Sequence, residues 1–214
     1  MTLTPGCPRC TQAIRAAGER WQCPTHGDVT PLWRPTPVSY DEFAALVVAA
    51  AHHPTYLPWP LSPGWRVSDA GVVVDRLDGS GTVLATVTAC AGVSELDGSV
   101  DVLVVAEEPG TGLGGRVAGL LRDDPGPEVG EGSPSVRVRL GSQAVPLWSV
   151  STSQVGEDLD RSVFAGEAHG RWLWLVLRPA SAALLLRDDW ILRDVSGMGP
   201  PLVELPFAGP TPSW

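Results

Sequence analysis

Lysine is missing from this sequence of 214 residues, and all fifteen of its basic residues are arginine. Twenty-four acidic residues outnumber them and give a formal net charge of −9. An acidic surface repels phosphate backbones, so this charge disfavours nucleic acid as the main partner. The lack of lysine, together with many Ala, Gly, Pro and Val residues, indicates a high-GC genome and carries no information on function.

Long apolar runs are also missing. The two longest, Phe43–Ala51 and Trp172–Leu177, are too short to span a bilayer. The residues from Met1 to Gly6 have neither the basic region nor the apolar region of a signal peptide. We therefore expect a cytoplasmic protein that does not act in a membrane.

Cysteine is scarce, and its four positions are informative. Three of the four lie at or before Cys23, and no disulfide framework is left over, which fits a reducing compartment. The fourth, Cys90, lies in an apolar run. We interpret it as a buried core thiol rather than as a nucleophile.

What the chain does contain is a pattern of metal ligands near its start. Cys7-Pro-Arg-Cys10 is separated by twelve residues from Cys23-Pro-Thr-His26. Two such knuckles can place three thiolates and one imidazole around one ion, a ligand set that favours Zn²⁺. Four protein ligands leave no open position for a substrate, so the predicted zinc ion is structural and would supply roughly 10–16 kcal/mol of folding free energy. The alternative is four unrelated residues or a disulfide pair.

The sequence divides into three predicted parts. Residues 1–34 form a zinc-ribbon-like domain, residues 35–64 form a linker, and residues 65–214 form an α+β domain. Within the linker, a capping pattern at Ser39 predicts a helix over 40–52. The segment Leu57–Trp65, which we call the strap, is rich in Pro and Trp. Because it is too apolar to be idle, we expect Trp59 and Trp65 to pack beside Trp172 or Trp174.

The third part has a mainly β pattern. Thr86 and Thr88 alternate with apolar residues, which predicts a strand with one half-exposed face. The run at 172–177 is apolar on both faces and predicts a central strand. A short helix is predicted over 179–187. The predicted class is α+β: a small zinc ribbon followed by a mainly antiparallel β domain with few short helices. Short segments bounded by Gly, Pro, Asp or Ser predict the strands, over 65–68, 71–76, 82–91, 100–107, 135–140, 144–151, 171–178, 189–195 and 202–206.

A glycine-rich segment, Gly110–Arg116, follows the predicted strand at 100–107. It resembles the dinucleotide fingerprint and, more closely, the acyl-CoA loop of GNAT acetyltransferases, in which backbone N–H groups hold phosphate. The helix predicted behind it, over 112–121, is short, and flanking acids would repel a phosphate. We interpret the loop as a structural turn in which Arg116 pairs with Glu108 or Asp123. The residues that would bind a cofactor under the alternative are Gly110, Gly112, Gly115 and Arg116.

No complete catalytic constellation is present in the sequence. Neither G-x-S-x-G nor H-E-x-x-H occurs. Glu107 and Glu108 end a predicted strand, and Glu167 with His169 offers a second acid/base pair. For each of these four residues we favour a structural role over a catalytic one.

Several segments of the chain are distinctive in combination. They include Cys7-Pro-Arg-Cys10, Leu57-Pro-Trp-Pro-Leu-Ser-Pro-Gly-Trp65, Val163-Phe-Ala-Gly-Glu-Ala168 and Trp172-Leu-Trp174. With these segments the chain resembles, nearly end to end, an uncharacterised actinobacterial protein family whose members begin with a zinc-ribbon-like segment. The resemblance implies a bacterial cytosolic protein. It implies no activity, so no catalytic residue is carried over.

The function we expect from the sequence is that of a non-enzymatic zinc-ribbon protein that binds or assembles with a protein partner. The main alternative is an acyltransferase-like enzyme that holds an acyl-CoA in the Gly110–Gly115 loop. A weaker alternative is a nucleic-acid adaptor acting through the ribbon. A small-molecule ligand stays open.

Overall fold

A computed structural model describes residues 3–50, 52–152, 160–187, 190–209 and 211–214. Five short strands surround the two knuckles, and a helix follows them. These elements are β1 (Leu3–Gly6), β2 (Arg15–Ala17), β3 (Arg20–Cys23), β4 (Gly27–Val29), β5 (Leu32–Pro35) and α1 (Tyr40–Ala50).

The remaining elements are mostly strands. The strap and the middle of the chain form β6 (Tyr56–Pro58), β7 (Arg66–Val74), β8 (Val83–Ser94), β9 (Gly98–Glu107) and the short helix α2 (Leu113–Ala118). The last part forms β10 (Val136–Leu140), β11 (Gln143–Ser149), β12 (Ser162–Ala168), β13 (Arg171–Arg178) and β14 (Ile191–Asp194), with 3₁₀ helices at Ala180–Arg187 and Pro200–Glu204.

Eleven of the strands form one sheet in the order β1-β5-β7-β8-β9-β13-β12-β11-β10-β14-β6, and β2, β3 and β4 form a small second sheet. All neighbouring pairs of the large sheet are antiparallel except β10 and β14. The predicted class, a mainly antiparallel β fold with few short helices and a Cys/His cluster near its start, is confirmed.

Both faces of the sheet are buried in its middle. On one face, Leu173 of β13 joins a core with Phe43 of α1. On the other face, Trp174 joins a second core with Leu113 and Val117 of α2. The prediction that 172–177 forms a central strand is confirmed, because β13 lies between β9 and β12 in the sheet.

The strap returns across the first face of the sheet. Its strand β6 pairs with β14 at the edge, and the residues just before the strap lie over β8. Thr86 Oγ1 donates to the carbonyl of Pro54, and Thr88 Oγ1 donates to that of Tyr56, both at 2.6 Å. The prediction of a half-exposed face at these threonines is wrong, because both side chains are buried. Their hydroxyl groups provide hydrogen bonds to the two backbone carbonyls.

The strap packs against different residues from those expected. Trp65 lies edge-on to Trp190, with ring centroids 6.5 Å apart, and its indole covers Gly92, where a Cβ would lie 2.4 Å from the ring. Trp59 is half-buried and faces the guanidinium of Arg193, 5.2 Å from the ring centroid. The expected packing beside Trp172 or Trp174 is wrong because the strap follows β14 and not β13.

Two further expectations on elements were wrong, and one strand had no prediction. The two strands predicted at 65–68 and 71–76 are the single strand β7, which carries an irregularity between Val67 and Asp69. The strand predicted at 202–206 is the 3₁₀ helix Pro200–Glu204, which begins with prolines that favour a helical first turn. The strand β12 was not predicted, because Gly166 and Glu167 gave it the composition of a loop.

The helices of the described residues include none long and apolar enough to cross a bilayer. The three-part division at residues 34 and 64 stays a prediction. The strands β1 and β5, which flank the knuckles, pair with each other, and β5 continues the large sheet through β7.

We predict that Trp65→Ala lowers the free energy of unfolding by about 3–5 kcal/mol, because it empties a buried site between Trp190 and Gly92. Trp59→Ala is expected to cost clearly less, since that ring is half-exposed. Urea unfolding followed by circular dichroism measures both, with Val93→Ala, at a residue 74% exposed, as the control. Equal losses for the two tryptophans would contradict this account of the strap.

Candidate metal centre

The two knuckles bring four ligand atoms together. Cys7 and Cys10 follow β1, whereas Cys23 ends β3 and His26 lies in the turn to β4. That turn closes with Gly27 at φ 69°, a conformation that glycine adopts without strain. Cys23 pairs with Gly27 across the hairpin, so strand pairing helps to position the second knuckle.

The ligand atoms have the spacing of a single cage. Cys7 Sγ and Cys23 Sγ each lie 3.5 Å from His26 Nδ1, and Cys10 Sγ lies 3.6 Å from Cys23 Sγ. All four atoms lie within 4.8 Å of one another. Cys7, Cys10, Cys23 and His26 can therefore hold one metal ion, with His26 binding through Nδ1.

Burial and backbone donors act on the thiols in opposite directions. Burial raises the pKa of Cys7 to about 12. At Cys23 burial also raises the pKa, but the backbone N–H groups of Thr25 and His26 outweigh it and lower the pKa to about 6. Because metal ligation needs thiolates, an ion would have to displace the proton of Cys7.

The ribbon core is too small to hold this geometry alone. Ile14 and the buried cysteines form a cluster of their own, against which Trp21 and Val29 pack. Trp21 also meets Trp33 edge-on at 5.5 Å. The buried residues of this cluster are distinct from those of the two cores of the sheet.

The first knuckle is fastened to the glycine-rich loop. Arg9, between the two cysteines, donates from Nη2 to the carbonyl of Gly110 at 2.7 Å and lies 3.5 Å from Asp123. In return, Arg116 of α2 donates to the carbonyl of Cys7. The expectation that Arg116 pairs with Glu108 or Asp123 is wrong, because the knuckle supplies its acceptor.

A buried polar cluster lies beside this contact. Asp69 is 2% exposed and forms an ion pair with Arg34, while Trp214 Nε1 donates to the same carboxylate at 3.1 Å. The guanidinium of Arg34 stacks on the Trp214 ring at 3.8 Å. Burial raises the pKa of Asp69 even so. No sequence pattern indicated this cluster.

The N–H groups of the glycine-rich loop already have an acceptor. Glu107 is fully buried, and its Oε2 accepts the N–H groups of Leu113 at 2.8 Å and Gly114 at 3.1 Å. Its Oε1 accepts the indole N–H of Trp174 at 2.6 Å. A cofactor phosphate at this helix end would have to displace the carboxyl group of Glu107, which accepts hydrogen bonds from three donors.

Two of the glycines are required by close packing. A Cβ at Gly114 would lie 2.1 Å from the indole nitrogen of Trp174, and one at Gly115 would lie 1.9 Å from the carbonyl oxygen of Arg122. Gly110 and Gly112 instead take positive φ, at 79° and 84°. The glycine pattern thus has a structural explanation at each of these positions.

The other acid/base candidates are not gathered into one site with Glu107. Glu108 pairs with Arg171 at 2.8 Å. Glu167 is exposed on β12, and His169 lies in the turn between β12 and β13 at φ 55°. Cys90 is fully buried, and burial raises the pKa of its thiol to about 12.

The whole chain, residues 1–214, matches one family model, which is described as a family of unknown function (DUF6758). No curated protein and no solved structure matches the chain significantly.

We predict that the stability of this chain depends on pH through Glu107. Burial raises the pKa of Glu107 from its ordinary 4.5 to about 8. Its contribution is therefore complete below about pH 4.5 and is lost as pH rises through about 8. Glu107→Gln places an amide N–H group opposite one of the three donors. We therefore expect it to lower the free energy of unfolding by about 1–3 kcal/mol at low pH.

Urea unfolding of the wild type and Glu107→Gln across this pH range tests the point. The difference in free energy of unfolding between the two proteins should shrink as pH rises, because all other titrating groups contribute equally to both. The exposed Glu167→Gln variant serves as the control and should follow the wild type. A difference that stays constant with pH would contradict the assignment.

Proposed function

Since the chain belongs over its whole length to the DUF6758 family, whose function is unknown, we propose from its own residues that it is a non-enzymatic, zinc-dependent protein that binds a protein partner. The observation that carries this proposal is the cage formed by Cys7, Cys10, Cys23 and His26. Arg9, which lies between the first two cysteines, donates to the glycine-rich loop in which the alternative acyltransferase would hold its acyl-CoA.

Zinc fits the cage better than other ions. Tetrahedral Zn²⁺, with bonds of about 2.3 Å to sulfur and about 2.0–2.1 Å to nitrogen, requires ligand atoms roughly 3.5–3.8 Å apart. The observed separations of 3.5 and 3.6 Å agree. Three thiolates and an imidazole also suit zinc more than Ca²⁺ or Mg²⁺, which prefer oxygen.

The ion has a structural role in this proposal. All four positions around it are taken by protein, and Cys7 and Cys23 are buried, so no site is open to a substrate. What the ion stabilises is the first knuckle, which presents Arg9 and the Cys7 carbonyl to the body of the protein.

A protein partner is supported by the surface of the strap. Trp59 and Leu61 line two adjoining hollows of about 200 and 300 Å³, which Trp65 shares. Ile191 on the neighbouring strand is 38% exposed. Aromatic and aliphatic side chains around shallow hollows are typical of the centre of a protein interface.

The two alternatives have less support. An acyl-CoA would have to bind at N–H groups that Glu107 already occupies. A nucleic acid would approach a chain with a formal charge of −9. A cytoplasmic location and an actinobacterial host belong to the proposal, supported by the free cysteines and by the arginine-only composition.

We predict about one zinc ion per chain in protein purified without added metal. Elemental analysis measures the ratio. Cys10→Ser should release the ion and unfold the ribbon while the sheet stays folded, because the ribbon cluster is separate from the two sheet cores. Cys90→Ser is the matched control and should keep the zinc. A metal-free wild type, or zinc retained in Cys10→Ser, would contradict the assignment.

We predict that the chain retains one protein in near-stoichiometric amount when it is captured from its native host. Leu61→Ser should reduce the recovery at least severalfold, because Leu61 lines both hollows of the strap. The control is Leu96→Ser, at a residue 84% exposed elsewhere on the chain. Circular dichroism checks that both variants fold.

Equal recovery with Leu61→Ser would contradict binding through the strap. The absence of any retained protein, together with micromolar binding of acetyl-CoA by calorimetry, would favour the acyltransferase alternative instead.

A further inference from the structure

A hollow of about 410 Å³ opens on the side of the sheet where the strap begins. Its walls are partly apolar and include Tyr56 of β6, Leu140 of β10 and Leu192 of β14. The turn between β12 and β13 contributes His169 and Arg171. This volume lies in the range of small-molecule sites, which combine apolar walls with a few convergent polar groups.

The charge of this hollow is opposite to that of the rest of the chain. Arg171, Arg193, His52 and His169 line it, and Asp194 is its one carboxylate. Asp194 already accepts the backbone N–H groups of Thr55 at 3.1 Å and Ser196 at 3.0 Å. In a chain with 24 acidic and 15 basic residues, a hollow lined by two arginines and one carboxylate is a local exception to the overall negative charge.

Arg193 is the cation available to a ligand. Arg171 is balanced by Glu108, at 2.8 Å. Arg193 forms no ion pair among the described residues, and its guanidinium lies 5.2 Å from the centroid of the Trp59 ring. An arginine stacked on an aromatic ring keeps its N–H fork free for a carboxylate or a phosphate.

The backbone also directs polar groups to this place. His169 takes φ 55° and Gly170 takes φ 78° in a two-residue hairpin turn, where Asn or Gly is usual. The turn thus holds an imidazole at the rim in a conformation that few residues adopt. Burial and the nearby Asp194 raise the pKa of Tyr56 to about 12, so its hydroxyl stays protonated and able to donate.

We propose that this hollow binds a small organic anion, whose carboxylate or phosphate contacts Arg193 and the two histidines and whose apolar part packs on Tyr56 and Leu140. A metal ion does not explain the histidines, since the only metal-ligand cluster found in the described ranges is the one in the ribbon. This inference goes beyond the proposed protein-binding role and does not depend on it.

Histidine NMR on the zinc-loaded full chain tests the proposal. The chain has four histidines, so their Cε1–H signals can be assigned by substitution. Phenyl phosphate and phenylacetate are the anionic probes, and phenethylamine is the cationic probe of similar shape. We expect saturable shifts of the His52 and His169 signals with either anion, at about millimolar affinity, and none with the amine. His26, in the ribbon, should not respond.

Two variants distinguish binding in this hollow from a general effect of the charge of the protein. Arg193→Gln should weaken binding of the anions at least about tenfold, because it removes the guanidinium fork. Arg137→Gln makes the same change of charge on an exposed residue of β10 and should leave binding unchanged. A stronger response to one anion identifies phosphate or carboxylate as the preferred group.

The proposal is overturned if neither anion gives a saturable shift, or if the amine gives the same shifts as the anions. It is also overturned if Arg137→Gln weakens binding as much as Arg193→Gln. A variant that changes the His26 signal is replaced by Arg193→Lys, which keeps the charge and removes the fork.

Discussion

The position of the ribbon relative to the sheet depends on the buried carboxyl group of Glu107. It sits at the end of a central strand, fully buried, and accepts three N–H groups from α2 and from Trp174. By fixing the start of α2 it also fixes Arg116, which donates to the Cys7 carbonyl. The same loop offers the Gly110 carbonyl to Arg9. A single buried acceptor therefore orients a helix, and the helix orients the metal knuckle.

This arrangement explains why a glycine-rich loop can occur without a phosphate ligand. Close packing on Trp174 and Arg122 needs glycine at two positions, and the other two take positive φ. The N–H groups that such a loop directs at a ligand are here directed at a side chain of the preceding strand. The loop then uses its carbonyls to bind the ribbon.

Different parts of the molecule were predictable from the sequence to different degrees. The cluster of four Cys and His residues that could hold a metal ion was found because their spacing along the chain determines their geometry. The fold class followed from short apolar segments bounded by turn residues, and β13 was identified as central because its run is apolar on both faces. The acceptor of the loop was not predictable, because a glycine pattern does not say whether Glu107 or a ligand binds its N–H groups. Nor were the neighbours of Trp59 and Trp65, which depend on the pairing of β6 with β14 at the edge of the sheet.

Both outermost strands of the eleven-stranded sheet are short and contain proline. β1 spans Leu3–Gly6 and includes Pro5, and β6 spans Tyr56–Pro58. Proline has no N–H to donate, and a strand of three or four residues gives little length for pairing. The edges are thereby protected against edge-to-edge aggregation, which a sheet of this width would otherwise invite. A partner of this protein has to bind through contacts with its side chains, because strand addition at either edge of the sheet is disfavoured.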